Sequence, residues 1–351
     1  MAKHLIIRAD ASTRMGSGHL MRCLALAEAW AASGRGVTVV SACTVDALCE
    51  RVRAAGYERI PVEQPHPAPG DLAIAIRAAS AHDEPAVVVD GYHFDAAYLA
   101  GVADAGFSVL AIDDYAHAES YPVDIILNQN PGAEDLPYRG AARTRFLLGP
   151  RYALLRGEFA RWRTWQRAVP AQGRRVLVSL GGSDPANATG TIVDALALSQ
   201  TPGLEAVIVA GAASPHIEEL RQAVGRAGGA LQLVHDVADM AERMAWADVA
   251  VSAGGTTCWE LAFMGLPNAV VVIAENQAPT ARALAHAGVS LFLGDGPGLE
   301  ARAVAGTLDR LLGDKALRSD MSRRGRALVD GQGAQRVADT LIELPGRRPG
   351  G

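Results

Sequence analysis

Aromatic residues make up only 5% of this 351-residue chain, and it has just four cysteines. Basic charge is not in excess either. The 33 Lys and Arg stand against 38 Asp and Glu, a net −5, which leaves no electrostatic footprint for nucleic acid. No uncharged apolar stretch reaches the roughly 18 residues that a membrane helix needs. The apolar run after Lys3 and His4 is too short for a secretory h-region. Cys23, Cys43, Cys49 and Cys258 lie in apolar or helical patterns without ligand spacing, so reduced, buried thiols are expected. No Gly-x-Gly-x-x-Gly dinucleotide fingerprint occurs, and no Gly-Lys-Ser/Thr closes a P-loop. Together these absences predict a soluble cytoplasmic protein that binds neither nucleic acid nor membrane and uses no cofactor. The oligomeric state stays open, a monomer included.

What the chain does have is alternation. Its length is typical of two domains, and 49% apolar residues with 37 glycines suit close helix-on-sheet packing. Short apolar runs at 5–7, 36–40, 57–62, 85–90, 107–112, 124–127 and 146–148 read as strands, with helical periodicity at 20–30, 45–55, 71–80 and 95–105 between them. Thr44 and Asp95 read as helix N-caps. A stretch rich in Arg and Trp, 151–173, reads as a linker, after which the alternation restarts at 176–180. The prediction is α/β: a Rossmann-like N-terminal domain over 1–150 and a Rossmann-like, nucleotide-binding domain over 174–351. Both are doubly wound and face a cleft.

The first strand runs into Gly16-Ser17-Gly18-His19 and then a helix. These glycines let the backbone turn sharply and leave amide hydrogens uncovered. His19 therefore sits in a first helical turn at a strand's carboxyl edge, where open α/β sheets bind ligands. The positive end of a helix dipole disfavours imidazolium, which suits a proton acceptor. A structural histidine capping a loop is the alternative, but the glycine frame and strand-end position favour chemistry. At another strand end stand Asp90, which could orient His19 through its other ring nitrogen, and Tyr92, which could hydrogen-bond substrate. Asp113 and Asp114 have no His or Glu at metal-ligand spacing, so a solvated loop is expected there.

Three further turns stand out in the second half. Gly181-Gly182-Ser183 follows a strand and precedes a helix, and could place amides or a hydroxyl against phosphate. In Gly254-Gly255-Thr256-Thr257 the glycines admit a diphosphate to a helix N-terminus and the threonines add hydroxyls, while Glu260 could accept both hydroxyls of a ribose. Asn276 and Gln277 offer amides suited to a sugar's hydroxyl or acetamido groups. Each has a blander reading: an ordinary βα turn, a carboxylate partnering a helix dipole, a polar loop.

Taken in order, Arg8-Ala-Asp10-Ala-Ser, Met-Gly16-Ser17-Gly18-His19-Leu-Met-Arg-Cys-Leu, Asp90-Gly-Tyr92, Leu180-Gly-Gly-Ser-Asp184, Gly254-Gly-Thr-Thr-Cys-Trp-Glu260 and Glu275-Asn-Gln277 resemble the UDP-sugar hydrolase family of pseudaminic acid biosynthesis. The resemblance runs from about residue 5 to about 288. It implies a glycosyltransferase-B-like fold and metal-free hydrolysis of UDP-2,4-diacetamido-2,4,6-trideoxy-β-L-altropyranose to UDP and free sugar. It also implies His19 as acid/base, Tyr92 and Asn276 near the sugar, Glu260 on the ribose and the Gly254-Gly255-Thr256-Thr257 turn on the diphosphate; Asp10, the Gly16-Ser17-Gly18 turn and Gln277 are further substrate-binding candidates. Gly91 and His93 depart from the pattern, standing where members often carry His and Gly. A glycosyltransferase on the same scaffold is the nearest alternative, with an acceptor hydroxyl in place of water. A noncatalytic nucleotide-sugar sensor would have no use for His19, and an NAD-dependent oxidoreductase would need the missing fingerprint.

Overall fold

The computed structural model describes residues 4–344 apart from 13, 14, 183, 212, 213, 236 and 238. The chain divides into two compact units, Met1–Gly157 with Gly331–Gly351, and Glu158–Asp330.

In the first unit, strands β1 (His4–Ala9), β2 (Gly36–Ser41), β3 (Glu58–Pro61), β4 (Pro85–Asp90), β5 (Ser108–Ile112), β6 (Ile125–Asn128) and β7 (Arg145–Leu148) form one sheet, ordered β3-β2-β1-β4-β5-β6-β7. All its ladders are parallel. Helices α1 (Gly18–Ala31), α2 (Asp46–Ala54), α3 (Asp71–Ser80) and α4 (Ala96–Asp104) make the crossovers. The central strands are continuous apolar runs because helices cover both faces. Leu5, Ile6, Ile7, Val87 and Val88 are fully buried, each contributing about 1.5–3 kcal/mol relative to exposure.

One charge interrupts this core. Arg8, fully buried on β1, bridges Asp10 and Asp71 and lies over the Phe94 ring at 4.8 Å. Burial alone would lower its pKa, but the two carboxylates hold it above its ordinary value.

In the second unit β8 (Arg175–Ser179), β9 (Glu205–Ala210), β10 (Leu231–His235), β11 (Val249–Ala253), β12 (Asn268–Val272) and β13 (Ser290–Asp295) form a parallel sheet, ordered β10-β9-β8-β11-β12-β13. Its helices are α5 (Ala188–Leu198), α6 (Ile217–Ala227), α7 (Met240–Trp246), α8 (Thr257–Phe263), α9 (Ala278–His286), α10 (Ala301–Gly313) and α11 (Lys315–Leu328).

Several expectations need correction. The last helix, α12 (Gly333–Ile342), belongs to the first unit and packs on α1, so no single domain spans 174–351. Its buried stripe of Val337, Ala338 and Leu341 shows from periodicity alone, but periodicity names a face and not the partner. Nor is 151–173 a free linker. Leu154, Leu155 and Phe159 are buried, and the boundary between units falls after Gly157. Arg167 donates to the carbonyls of Ala247, Met244 and Met264 at 2.5, 2.6 and 3.2 Å, closing the C-terminal ends of α7 and α8. Val45, not Thr44, stands at the N-cap of α2. Asp95 does cap α4, accepting the Tyr98 amide at 2.8 Å.

Candidate active site

Both sheets reverse their strand order beside their first strand, between β1 and β4 and between β8 and β11. At such a switch point the connecting helices depart to opposite faces and leave a crevice at the strands' carboxyl ends. His19, Asp90 and Tyr92 follow or end the strands of the first switch, and Gly181, Gly182 and the Gly254–Thr257 turn follow those of the second, whereas Asn276 and Gln277 follow β12.

In the first unit the β1–β4 register sets Ala9 opposite Asp90. The chain after β1 makes a tight turn in which Gly16 takes φ +81° and donates its amide to Ser12 at 2.8 Å. Ser17 stands at the N-cap without a side-chain bond, and α1 begins at Gly18. This geometry delivers His19, 9% exposed, to Asp90: Nδ1 lies 2.7 Å from Oδ1 of that fully buried carboxylate. Nδ1 therefore donates, leaving Nε2 as acceptor. Arg22 Nη2 also approaches Nδ1, at 3.3 Å; the shorter contact to a carboxylate decides the tautomer. Among the described residues, no group bonds Nε2.

Asp90 is held from its other side by Arg22. Nε donates to Oδ2 and Nη2 to Oδ1, both at 2.7 Å. Burial alone would raise the Asp90 carboxyl, but Arg22 and His19 outweigh it and keep the group well below the usual carboxylate range. Arg22 Nη1 donates to both oxygens of Asp114 at 2.9 Å. Asp114 also accepts the Tyr92 hydroxyl at 2.6 Å and Asn130 Nδ2 at 2.8 Å. The Tyr92 ring meets His19 edge-on, centroids 4.7 Å apart. Arg22 was given no role from the sequence, and Asp114 was read as part of a solvated loop. The available signal was spacing, since Arg22 lies three residues after His19 and shares its helix face.

Other assignments shift. Asp10 accepts from Arg8, His93 (3.0 Å) and the Ala42 amide (2.7 Å), so both its oxygens are engaged within the protein. Its role here is to tie β1, β2 and the loop after β4 together. Asp113 and Asp114 do not form a solvated loop. Asp113 is fully buried and accepts the Tyr121 and Tyr138 hydroxyls at 2.6 and 3.0 Å, the amides of Tyr115 and Ala116, and His117. Burial would raise its carboxyl, but His117 and Tyr121 bring it down to about 2. Partners distant in sequence cover these carboxylates, which local polarity could not reveal.

In the second unit the turns after β8, β11 and β12 lie on neighbouring strands. Gly181 takes φ +91°, and the Gly211 backbone packs so closely on Gly181 and Gly182 that a Cβ would lie 2.3 Å from the Gly181 carbonyl oxygen. Ser183 lies outside the described residues. Asp184 accepts the amides of Ala188 and Thr189 at 3.0 and 2.8 Å and the Thr189 hydroxyl at 2.6 Å. The α5 N-terminus is thus occupied by a carboxylate from its own loop.

The turn after β11 differs. The Gly254 amide extends the sheet by donating to Val271 at 3.1 Å, while among the described residues nothing accepts from the amides of Gly255, Thr256 or Thr257. Close approach favours glycine at 254, since a Cβ there would lie 3.0 Å from the Gln277 carbonyl oxygen, tighter than most such contacts. The turn after β12 is thereby brought against the turn after β11. Gln277 Oε1 accepts the Ile273 amide at 3.1 Å, Asn276 beside it is exposed, and Glu260 on α8 is 7% exposed. Among the described residues no three His, Cys, Asp or Glu converge as a metal site, and no helix is long and apolar enough to cross a membrane.

Comparisons with known proteins bear on the fold. Residues 176–327 match the glycosyltransferase family 28 C-terminal domain. The spore coat polysaccharide biosynthesis protein SpsG of Bacillus subtilis (strain 168) is 32% identical over 204 residues, 57% of this chain and 59% of that protein. The UDP-N-acetylglucosamine–N-acetylmuramyl-(pentapeptide) pyrophosphoryl-undecaprenol N-acetylglucosamine transferase of Halorhodospira halophila (strain DSM 244 / SL1) is 35% identical over 176 residues, 48% of each chain. The chain thus spans about half to three-fifths of the length of these relatives. MurG of Acinetobacter baumannii superposes with a TM-score of 0.66 at 17% identity, covering 97% of this chain and 100% of that one. The fold is therefore two Rossmann-like parallel-sheet domains of the glycosyltransferase-B kind, as the sequence predicted. The matched domain and the Halorhodospira relative carry transferase names, and neither is named a hydrolase.

Proposed function

We propose that this protein transfers the sugar of a UDP-sugar to an acceptor hydroxyl, with His19 as general base. The observation that carries this reading is the His19–Asp90 pair at the β1–β4 switch point, Nδ1 bonded at 2.7 Å and Nε2 left to accept. In the reaction His19 Nε2 takes the proton of the attacking hydroxyl, whose oxygen bonds to the anomeric carbon. The bond from that carbon to the β-phosphate oxygen breaks, and UDP leaves with the electron pair. The second unit holds the nucleotide: the amides and hydroxyls of Gly255, Thr256 and Thr257 receive the diphosphate, and Glu260 accepts from the ribose. In the first unit Tyr92 is the candidate sugar contact; in the second, Asn276 and Gln277 offer amides suited to hydroxyl or acetamido groups. Gly181 and Gly182 serve the phosphates only through their own backbone, because Asp184 occupies the helix behind them.

A second reading puts water in the acceptor's place. It is favoured by the Gly16-Ser17-Gly18-His19 motif, whose resemblance is to a UDP-sugar hydrolase acting on a diacetamido-trideoxy-altropyranose. The two separate in one experiment. UDP release from candidate UDP-sugars is followed by NMR with and without acceptor sugars. Dependence on acceptor supports transfer, and turnover in water alone supports hydrolysis. If UDP-sugar binds but neither reaction occurs, both readings fall. His19→Asn should lower turnover by about 10²–10⁴-fold with little change in UDP affinity.

A further inference from the structure

His19 and Asp90 suffice for the proton step, yet the structure buries an arginine and a second carboxylate against them. Arg22 uses two edges of its guanidinium. One grips both oxygens of Asp90 at 2.7 Å, and Nη1 grips both oxygens of Asp114 at 2.9 Å. Asp114 holds the Tyr92 hydroxyl, and the Tyr92 ring returns to the edge of His19. The contacts thus close into a ring: His19 and Arg22 from α1, Asp90 from β4, Tyr92 from the loop after β4, Asp114 from the end of β5.

We propose that Arg22 is a positioning residue for the reaction. It fixes Asp90 behind His19 and Asp114 behind Tyr92 in one rigid frame. By sharing Asp90, it also offsets one of the two carboxylate charges gathered beside the imidazole. The proposal rests on the reading of His19 as base. Its charge logic is simple. With His19 neutral the ring carries two carboxylates and one guanidinium, a net charge of −1. Without Arg22 the net charge would be −2, all of it favouring a protonated His19. Among the described residues, the other titratable groups facing this ring are Tyr115 and His117, both in contact with Tyr92, and Cys23, whose thiol donates to Asp90 and is itself pushed up by burial and by that carboxylate. Lysine could not replace Arg22, because a single ammonium cannot present parallel donors to two carboxylates at once.

The test uses the full chain and three variants, with melting, UDP calorimetry and turnover of a UDP-sugar between about pH 5 and 9. Arg22→Lys should lower kcat by about 10–100-fold, the scale of a misplaced catalytic group, with UDP affinity unchanged. Asp114→Asn removes a negative charge, so the acid limb of the rate profile should move to lower pH. Arg22→Gln removes a positive one, so the limb should move to higher pH. A merely structural role predicts no such opposed shifts. Asp114 is the more exposed partner, its side chain 10% accessible against 4% for Arg22, so Asp114→Asn decides the matter if the Arg22 variants fail to fold. Unshifted profiles and wild-type kcat in the folded variants overturn the proposal. His19→Asn serves as the control: if it is inactive while these variants behave as wild type, only the role of Arg22 falls, whereas if it stays active the base assignment itself fails.

Discussion

Replacing Asp90 by asparagine changes one atom in the buried centre of the first unit, and its consequences follow from the bonding. Asp90 Oδ1 accepts from His19 and Arg22 Nη2, and Oδ2 accepts from Arg22 Nε and the Cys23 thiol. An amide has one oxygen and one NH2, whereas Arg22 points an N–H at each position. Either orientation of the introduced amide therefore sets a donor against a donor of Arg22 and loses charge-assisted hydrogen bonds worth about 1.5–3 kcal/mol apiece. Breaking a buried pair in this way costs roughly 3–5 kcal/mol. For a unit of this size, at about 2–4 °C per kcal/mol, Tm should fall by roughly 6–20 °C. The chemistry should suffer separately. With NH2 toward His19, Nδ1 becomes the acceptor and Nε2 carries the proton, so the ring can no longer take one from the attacking hydroxyl. Turnover should drop by about 10²–10⁴-fold at a temperature where the variant is folded. Circular dichroism melting together with turnover well below Tm measures both effects. A folded Asp90→Asn protein that melts like wild type would falsify the buried-pair reasoning, and turnover within a few-fold of wild type would place the amide oxygen, not its NH2, toward His19.

Glu260→Ala should weaken UDP binding by about 10–100-fold, the equivalent of one charge-assisted hydrogen bond of roughly 1.5–3 kcal/mol, with less effect on kcat; calorimetry that shows unchanged affinity removes Glu260 from the ribose. Asp184→Ala frees two α5 amides and should lower stability by about 0.5–2 kcal/mol, the usual cost of a lost cap, read as a shifted urea midpoint. Acid should loosen the first unit before the second. Asp10, Asp90 and Asp113 all sit below the ordinary carboxylate range, Asp113 at about 2, with ion-paired or hydrogen-bonded partners outweighing burial. A depressed carboxylate stabilises fully above its unfolded value of about 3.9 and loses that contribution as pH falls through the folded one. In the second unit the lowered carboxylates, Asp309 and Asp320, are more exposed. Hydrogen exchange should therefore rise in β1, β4 and β5 first as pH drops from about 4 to 2. Simultaneous loss of protection in both sheets would count against this order.

The sequence by itself determined what is local. Apolar runs such as 5–7 and 86–89, broken by helical periodicity, require strand–helix alternation and hence parallel sheets. Glycine at 16, where φ is +81°, and at 181, where it is +91°, marks turns that only a residue without Cβ makes cheaply. The placement of His19 in a first helical turn was legible for the same reason. Tertiary structure decided everything that depends on partners. The order β3-β2-β1-β4 sets Asp90 beside His19, 71 positions away. It joins Arg22 to Asp114 across 92 positions, buries Asp113 in what reads as a polar loop, and sends α12 back to the first unit. Hydrophobic period encodes which face of an element is buried, but it does not encode against what. A carboxylate in the sequence looks the same whether solvent, a helix end or a buried guanidinium will meet it, and only the packed sheet settles which.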